Sequence, residues 1–162
     1  MNCSNCGAPL EWSAERSGYF CAHCRTSAPT AEFDLIDVSS EPGEWTCPRC
    51  REGLRGGSVG SVPIELCGLC SGLLIAQEDF FPVLQQLRQK SNDPAEPPAP
   101  LDPSELHRTC QCPGCDRPME THPYGGGGNA VIDTCIECGW IWLDGGELRR
   151  LGNFRPRSSV RY

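Results

Sequence analysis

The sequence predicts a small, mostly β fold stabilised by metal: three tandem ribbons built on β-hairpin knuckles, the second and third each followed by a short α-helix. Three observations predict it. Twelve of the 13 cysteines fall into three paired Cys-x-x-Cys units. Gly and Pro together number 33 of 162 residues, against only 12 Phe, Tyr and Trp, which is too turn-rich for one well-filled core. The same apolar and acidic positions recur behind the second and third units.

The units are regular. Cys3 and Cys6 precede Cys21 and Cys24 by 14 residues, Cys47 and Cys50 precede Cys67 and Cys70 by 16, and Cys112 and Cys115 precede Cys135 and Cys138 by 19. Two cysteines separated by two residues sit on one tight turn, so both sulfurs reach a single ion at about 2.3 Å. Two such turns facing each other make a tetrahedron, and the intervening residues suffice for a strand, a reversal and a returning strand. That is a zinc ribbon, and three zinc ions per chain are expected. A closed four-sulfur site is structural, because catalytic zinc keeps a position open for water. Iron in a rubredoxin-like site is the competitor, since spacing alone does not select the metal. His23 and His122 are weaker candidate ligands, because each unit already has four cysteines. Cys110 is the unpaired thirteenth, either a spare or reactive thiol or a plain cysteine.

The second and third units share more than cysteines. With Cys67 on Cys135 and Cys70 on Cys138, Leu74 falls on Trp142, Ile75 on Leu143, Asp79 on Glu147 and Phe80 on Leu148. Upstream, Ile64 meets Ile132 and Glu65 meets Asp133. Asp144 and Glu147 read as a capping box opening a helix over about 145–151. In the second unit Phe80, Leu84 and Leu87 share a helical face, with Pro82 near the start of a helix from about Asp79 to Gln89. The organisation is therefore a ribbon over 1–28, an acidic connector with one short strand over 29–44, a second, degenerate ribbon plus helix over 45–90, a Pro-rich linker over 91–108, a third ribbon plus helix over 109–152, and an Arg-rich tail over 153–162.

The stretch "CPGCDRPMETHPYGGGGNAVIDTCIECGWIWLDGGEL" resembles the bacterial transcription-factor-IIB-type zinc ribbon family. Cys112, Cys115, Cys135, Cys138, Trp142, Leu143, Asp144, Glu147 and Leu148 carry the likeness. The second unit is similar to a degenerate copy, with "LLIAQEDF" in place of "IWLDGGEL", and the first resembles a generic N-terminal zinc ribbon. The resemblance implies architecture, and a transcription role by analogy only.

Charge and composition bound the function. The net charge is −7, yet the five arginines of 149–162 face no acid, which leaves −12 on residues 1–148. Three four-thiolate zinc sites would bring that body to about −18, which repels nucleic acid. The first residues have neither a basic region nor an apolar run, so no secretory signal is expected; no stretch reaches a membrane span, and paired cysteines suit a reducing cytoplasm. No nucleophile–base set, phosphate loop or open metal site is visible, so no enzyme is expected. Trp140 and Trp142 share one strand face and either cover the knuckle, packing on Leu148, or anchor a partner. Arg149, Arg150, Arg155, Arg157 and Arg161 are the candidate contact for phosphate or an acidic protein. Gly125 to Gly128 read as a mobile hairpin tip, with His122 and Tyr124 on its lip. The leading function is a protein-binding adaptor, with a tail-dependent nucleic-acid binder second and a redox protein third, because the βαβ setting of a Cys-x-x-Cys redox site is absent.

Overall fold

The computed structural model describes residues 6–9, 11–13, 18–25, 36–90, 100–125 and 129–153. The first unit carries a hairpin of β1 (Glu11–Ser13) and β2 (Gly18–Phe20), paired antiparallel. The remaining strands are β3 (Asp37–Thr46), β4 (Gly53–Val59), β5 (Val62–Leu66), β6 (Leu73–Ala76), β7 (Glu120–Pro123), β8 (Val131–Cys135) and β9 (Trp140–Leu143). They form one antiparallel sheet of seven strands in the order β3-β4-β5-β6-β9-β8-β7. The second and third ribbons are thus halves of a single sheet, joined where β6 meets β9.

That junction has a near two-fold axis. Leu74 pairs with Trp142, its own counterpart in the repeat, while Leu73 pairs with Leu143 and Ile75 with Ile141. A repeat whose last strand is an open edge can close that edge with a second copy of itself. Here the chain carries both copies, and the contact has the self-complementary form of a homodimer interface.

Alternation along the strands then sorts the side chains. Leu73, Ile75, Ile141 and Leu143 join Ile64 and Ile132 on one face, under the two helices. Helix α1 (Gln77–Lys90) contributes Phe80, Val83, Leu84 and Leu87, and α2 (Glu147–Asn153) contributes Leu148 and Leu151. Leu54, Leu74, Met119 and Trp142 point to the other face, among the cysteines. Strands β6 and β9 are therefore covered on both sides, which is why "LLIA" and "WIWL" read as apolar runs and not as alternating patterns.

Several boundaries differ from the sequence expectation. From Ile36 on, the connector is not separate from the second ribbon: β3 is a ten-residue edge strand, and Ile36 joins the helix-side core, while 29–35 lie outside the described residues. The Glu65 carboxylate holds this strand by accepting the N–H groups of Glu44 at 2.9 Å and Trp45 at 3.2 Å. Pro42 sits at an irregularity in the pairing, where an edge tolerates it. Helix α1 begins two residues earlier than expected, so Pro82 lies inside it and the Glu78 carbonyl loses its usual donor. The linker's end is ordered too: Pro103–His107 forms a 3-10 turn capped by Asp102, and Glu105 from it pairs with Arg150 at 3.3 Å. Helix α2 starts at Glu147, two residues later than expected.

Candidate metal centres

Each ribbon end is a knuckle with the same backbone. The residue after the second cysteine donates its N–H to the carbonyl of the first: Arg25 to Cys21, Arg51 to Cys47, Ser71 to Cys67, Asp116 to Cys112 and Gly139 to Cys135, all at 2.8–3.0 Å. That residue is left-handed in every described knuckle, with φ from 57° to 74° at Gly7, Arg25, Arg51, Ser71, Asp116 and Gly139. Only two of the six are glycine, so four knuckles hold a side chain in a backbone region costing about 1–2 kcal/mol. The backbone also points donors at sulfur, with Arg49 and Cys50 N–H at 3.4 and 3.3 Å from Cys47 Sγ, and Gly114 N–H at 3.4 Å from Cys112 Sγ.

These turns bring three clusters together. Cys47, Cys50, Cys67 and Cys70 have their four sulfurs within 4.8 Å of one another, and so do Cys112, Cys115, Cys135 and Cys138. Cys6, Cys21 and Cys24 form the third, and Cys3 lies outside the described residues. Sulfur–sulfur distances are 3.6 Å for Cys47–Cys70, 3.7 Å for Cys115–Cys135 and 3.5 Å for Cys6–Cys21. A tetrahedron with metal–sulfur bonds of about 2.3 Å has edges of about 3.8 Å, so the clusters match the geometry of zinc tetrathiolate. The described cysteines form no disulfides. With protons alone, the second cluster is frustrated: hydrogen bonds with Cys47 and then Cys67 drive the Cys70 thiol up, while those with Cys47 and then Cys70 hold Cys67 down. A divalent ion replaces these shared protons with one charge seen by all four sulfurs. In the two four-sulfur clusters the donor set leaves no position for water, so these centres have the form of structural sites that supply folding free energy.

The first cysteine of each described pair in the sheet is buried: Cys47, Cys67, Cys112 and Cys135 all join the cluster around Leu74 and Trp142. The two metal centres therefore flank the near two-fold axis on the face opposite the helices. Trp142 is fully buried, which corrects its reading as a partner anchor. Its indole N–H donates to Asp144 at 2.9 Å, and its ring lies over Gly72, where any Cβ would overlap it. Leu148 lies on the other side of the sheet, so neither indole packs on it. Trp140 is half-buried and meets Trp45 edge-on at 5.9 Å.

Glu147 makes the return bond of the predicted capping box, accepting the Asp144 N–H at 2.7 Å, and the Asp144 carboxylate accepts from Arg49 and Trp142. Burial, then the nearby Asp144 charge, pushes the Glu147 carboxyl up to about 9, so it accepts that bond as a neutral acid. Arg49, within the knuckle Cys47-Pro48-Arg49-Cys50, was not among the sequence candidates. Its guanidinium donates to Asp144 at 2.8 and 3.0 Å, to Asp133 at 3.0 Å, and to the carbonyls of Arg108 and Thr109 at 3.0 Å. The only signal for it was an arginine inside a knuckle, a position that is usually solvent-exposed.

The remaining candidates fall as follows. Cys110 is buried, joins no metal cluster among the described residues, and its thiol is pushed up by burial and then by Asp133 while it contacts Met119, as suits an unreactive thiol. His122 contacts Thr134 at 3.2 Å and joins no metal cluster among the described residues, nor does His23. Tyr124 packs edge-on against Phe80 at 5.3 Å, tying the start of the glycine loop to α1, while 126–128 lie outside the described residues. Arg149 and Arg150 lie in α2, and Arg155, Arg157 and Arg161 lie outside the described residues.

The third ribbon's knuckles, hairpin, buried Trp142 and trailing helix decide the comparison with known proteins. Residues 111–153 match the transcription-factor zinc-finger family, a TFIIB-type zinc ribbon. The match begins at the ribbon's first strand bridge, Gln111, and ends with α2. No curated protein and no solved structure is significantly similar to the chain. The second cluster has the same donors and the same knuckle backbone, and its geometry fits a zinc ribbon. No helix among the described residues is long and apolar enough to cross a membrane.

Proposed function

We propose that this chain is a non-enzymatic zinc-ribbon adaptor that binds a protein partner of the transcription machinery. The observation that carries this reading is the TFIIB-type ribbon with its closed four-sulfur centre and an apolar knuckle tip. Ile136, between Cys135 and Cys138, is 78% exposed, the largest exposure of any sizeable apolar side chain described. A closed centre gives zinc no role in catalysis, and an isoleucine held at the tip of a metal-fixed turn loses little entropy on docking. The thiolate clusters need a reducing compartment, which supports the cytoplasm.

The test is a pull-down from a native bacterial lysate with tagged full-length protein. A defined transcription protein should be enriched by the zinc-loaded chain, lost with the metal-stripped chain and reduced by Ile136→Asp. Enrichment equal in all three, or in none, would remove the reading. The nucleic-acid alternative rests on the arginines of the tail. Deletion of 154–162 is its clean test, because Leu151 and Gly152 are buried parts of the fold. Binding to RNA or DNA that weakens steeply with salt and disappears on that deletion would replace the adaptor reading.

A further inference from the structure

We propose that Arg49 is a positioning residue through which metal capture at the second cluster promotes metal capture at the third. Arg49 is fixed at its base by the second cluster. It lies between Cys47 and Cys50, and its N–H is aimed at Cys47 Sγ. Its backbone position is therefore defined once that knuckle closes on a metal. Its guanidinium leaves its own ribbon and donates to the third ribbon and to the residues leading into it.

Those contacts fall where the third cluster needs them. The Arg108 and Thr109 carbonyls precede Cys112 by four and three residues, and Asp133 precedes Cys135 by two. Asp144 follows the last residue of β9, beyond Cys138. One guanidinium thus pins the chain entering both knuckles of the third cluster. It also supplies the cation for two carboxylates held close together, of which Asp133 is buried and further held by the Thr121 hydroxyl. Without Arg49 in place, these two like charges oppose the approach of β8 and β9, which carry Cys135 and frame Cys138. The repeat offers no return path of this kind, because the position equivalent to Arg49 in the third ribbon is Gly114. Coupling is nevertheless reciprocal in equilibrium terms: zinc at the third cluster must raise affinity at the second by the same factor.

The test follows each cluster separately in the full-length chain. Zinc is buffered over a range of free concentrations under reducing conditions. Thiol alkylation followed by peptide mass spectrometry then reads protection of Cys67 and Cys70 apart from that of Cys135 and Cys138. In the native chain the two clusters should fill together and steeply. Changing Cys67 and Cys70 to Ser should move filling of the third cluster to at least about tenfold higher free zinc. In an Arg49→Ala background that shift should shrink by about fivefold or more, with Arg49→Lys in between. A purely structural role would weaken both clusters while leaving their mutual dependence intact. If Arg49→Ala does not fold in excess zinc, Arg49→Met with Asp133→Asn and Asp144→Asn removes the three charges together and should show the same loss of coupling. An unchanged shift in these Arg49 variants, or no shift in the native background, would overturn the proposal.

Discussion

The second and third ribbons are built alike and finished differently. Both have the same knuckles, the same strand order and a trailing helix on the same face. Yet the second carries Arg49 where the third has Gly114, Gly72 where the third has Trp140, Leu74 where the third has Trp142, and Ala76 where the third has Asp144. The geometry of the junction explains the divergence. Residues on a two-fold axis compete with their own counterparts for one volume. Trp142 lies over Gly72, so there is room for one large indole at the axis and not for two. The second ribbon gives up its bulk and the third supplies it. Charge divides in the same way: the third ribbon holds Asp133 and Asp144, and the second sends Arg49 across to them. The two halves of the repeat are complementary.

The largest perturbation of that comparison is loss of a metal ligand. Cys135→Ser should abolish zinc at the third cluster and destabilise the second ribbon with it, since Arg49 and the β6–β9 pairing both tie the two ribbons together. Structural zinc supplies on the order of 10 kcal/mol or more in isolated fingers, well above the margin of a domain this size. Circular dichroism and zinc counting would show it; a second ribbon that keeps its metal and its near-UV spectrum would mean the halves fold independently.

Next is the seat of the indole. Gly72→Ala places a methyl group inside the Trp142 ring position and should cost about 1–3 kcal/mol or more, read as a fall in the chemical denaturation midpoint. Adding Trp142→Leu should recover part of that loss in a double-mutant cycle, whereas additive costs would deny the contact.

The pH profile gives a smaller effect. Glu147 has a folded value raised to about 9, above its unfolded value, so its protonated form favours folding. That stability is fully present below about 4.5, falls as pH rises from there, and is gone above about 9. The metal thiolates act in the opposite sense, losing zinc to protons on acidification. Glu147→Gln keeps an acceptor for the Asp144 N–H and should remove the alkaline decline in melting temperature while leaving the acid limb in place. A native alkaline limb in the variant would show that another group sets it.

The smallest is a knuckle substitution. Arg51→Gly relieves a left-handed backbone at φ 64° and should stabilise by about 0.5–1 kcal/mol, less the weak contact with Gln111 at 3.4 Å. Cys115 is followed by Asp116 in the same conformation in the other ribbon, and Asp116→Gly should gain less, since Asp tolerates that region better.

The metal centres were legible in the sequence because their chemistry is local. A Cys-x-x-Cys turn places both sulfurs within four residues, and the pairing of turns follows from spacing. The helices were legible to within two residues from their apolar faces, and the common plan of the two ribbons from the matched positions around Leu74 and Trp142. What the sequence left open was everything that crosses from one ribbon to the other. "LLIA" and "WIWL" do not announce that they pair, because two buried strands look alike whether they meet each other or another surface. Arg49 reads as a surface residue of a knuckle, and only its distance from Asp133 and Asp144, 84 and 95 residues along the chain, makes it part of the third ribbon. From the sequence Trp142 reads first as core and second as anchor, and Gly72 beneath it decides for the core. The sequence by itself determined where metal binds and what kind of turn binds it, since coordination distances are short and local. Only the tertiary structure decided that two metal centres share one sheet, because closing a strand edge and sharing an axis are relations between distant segments.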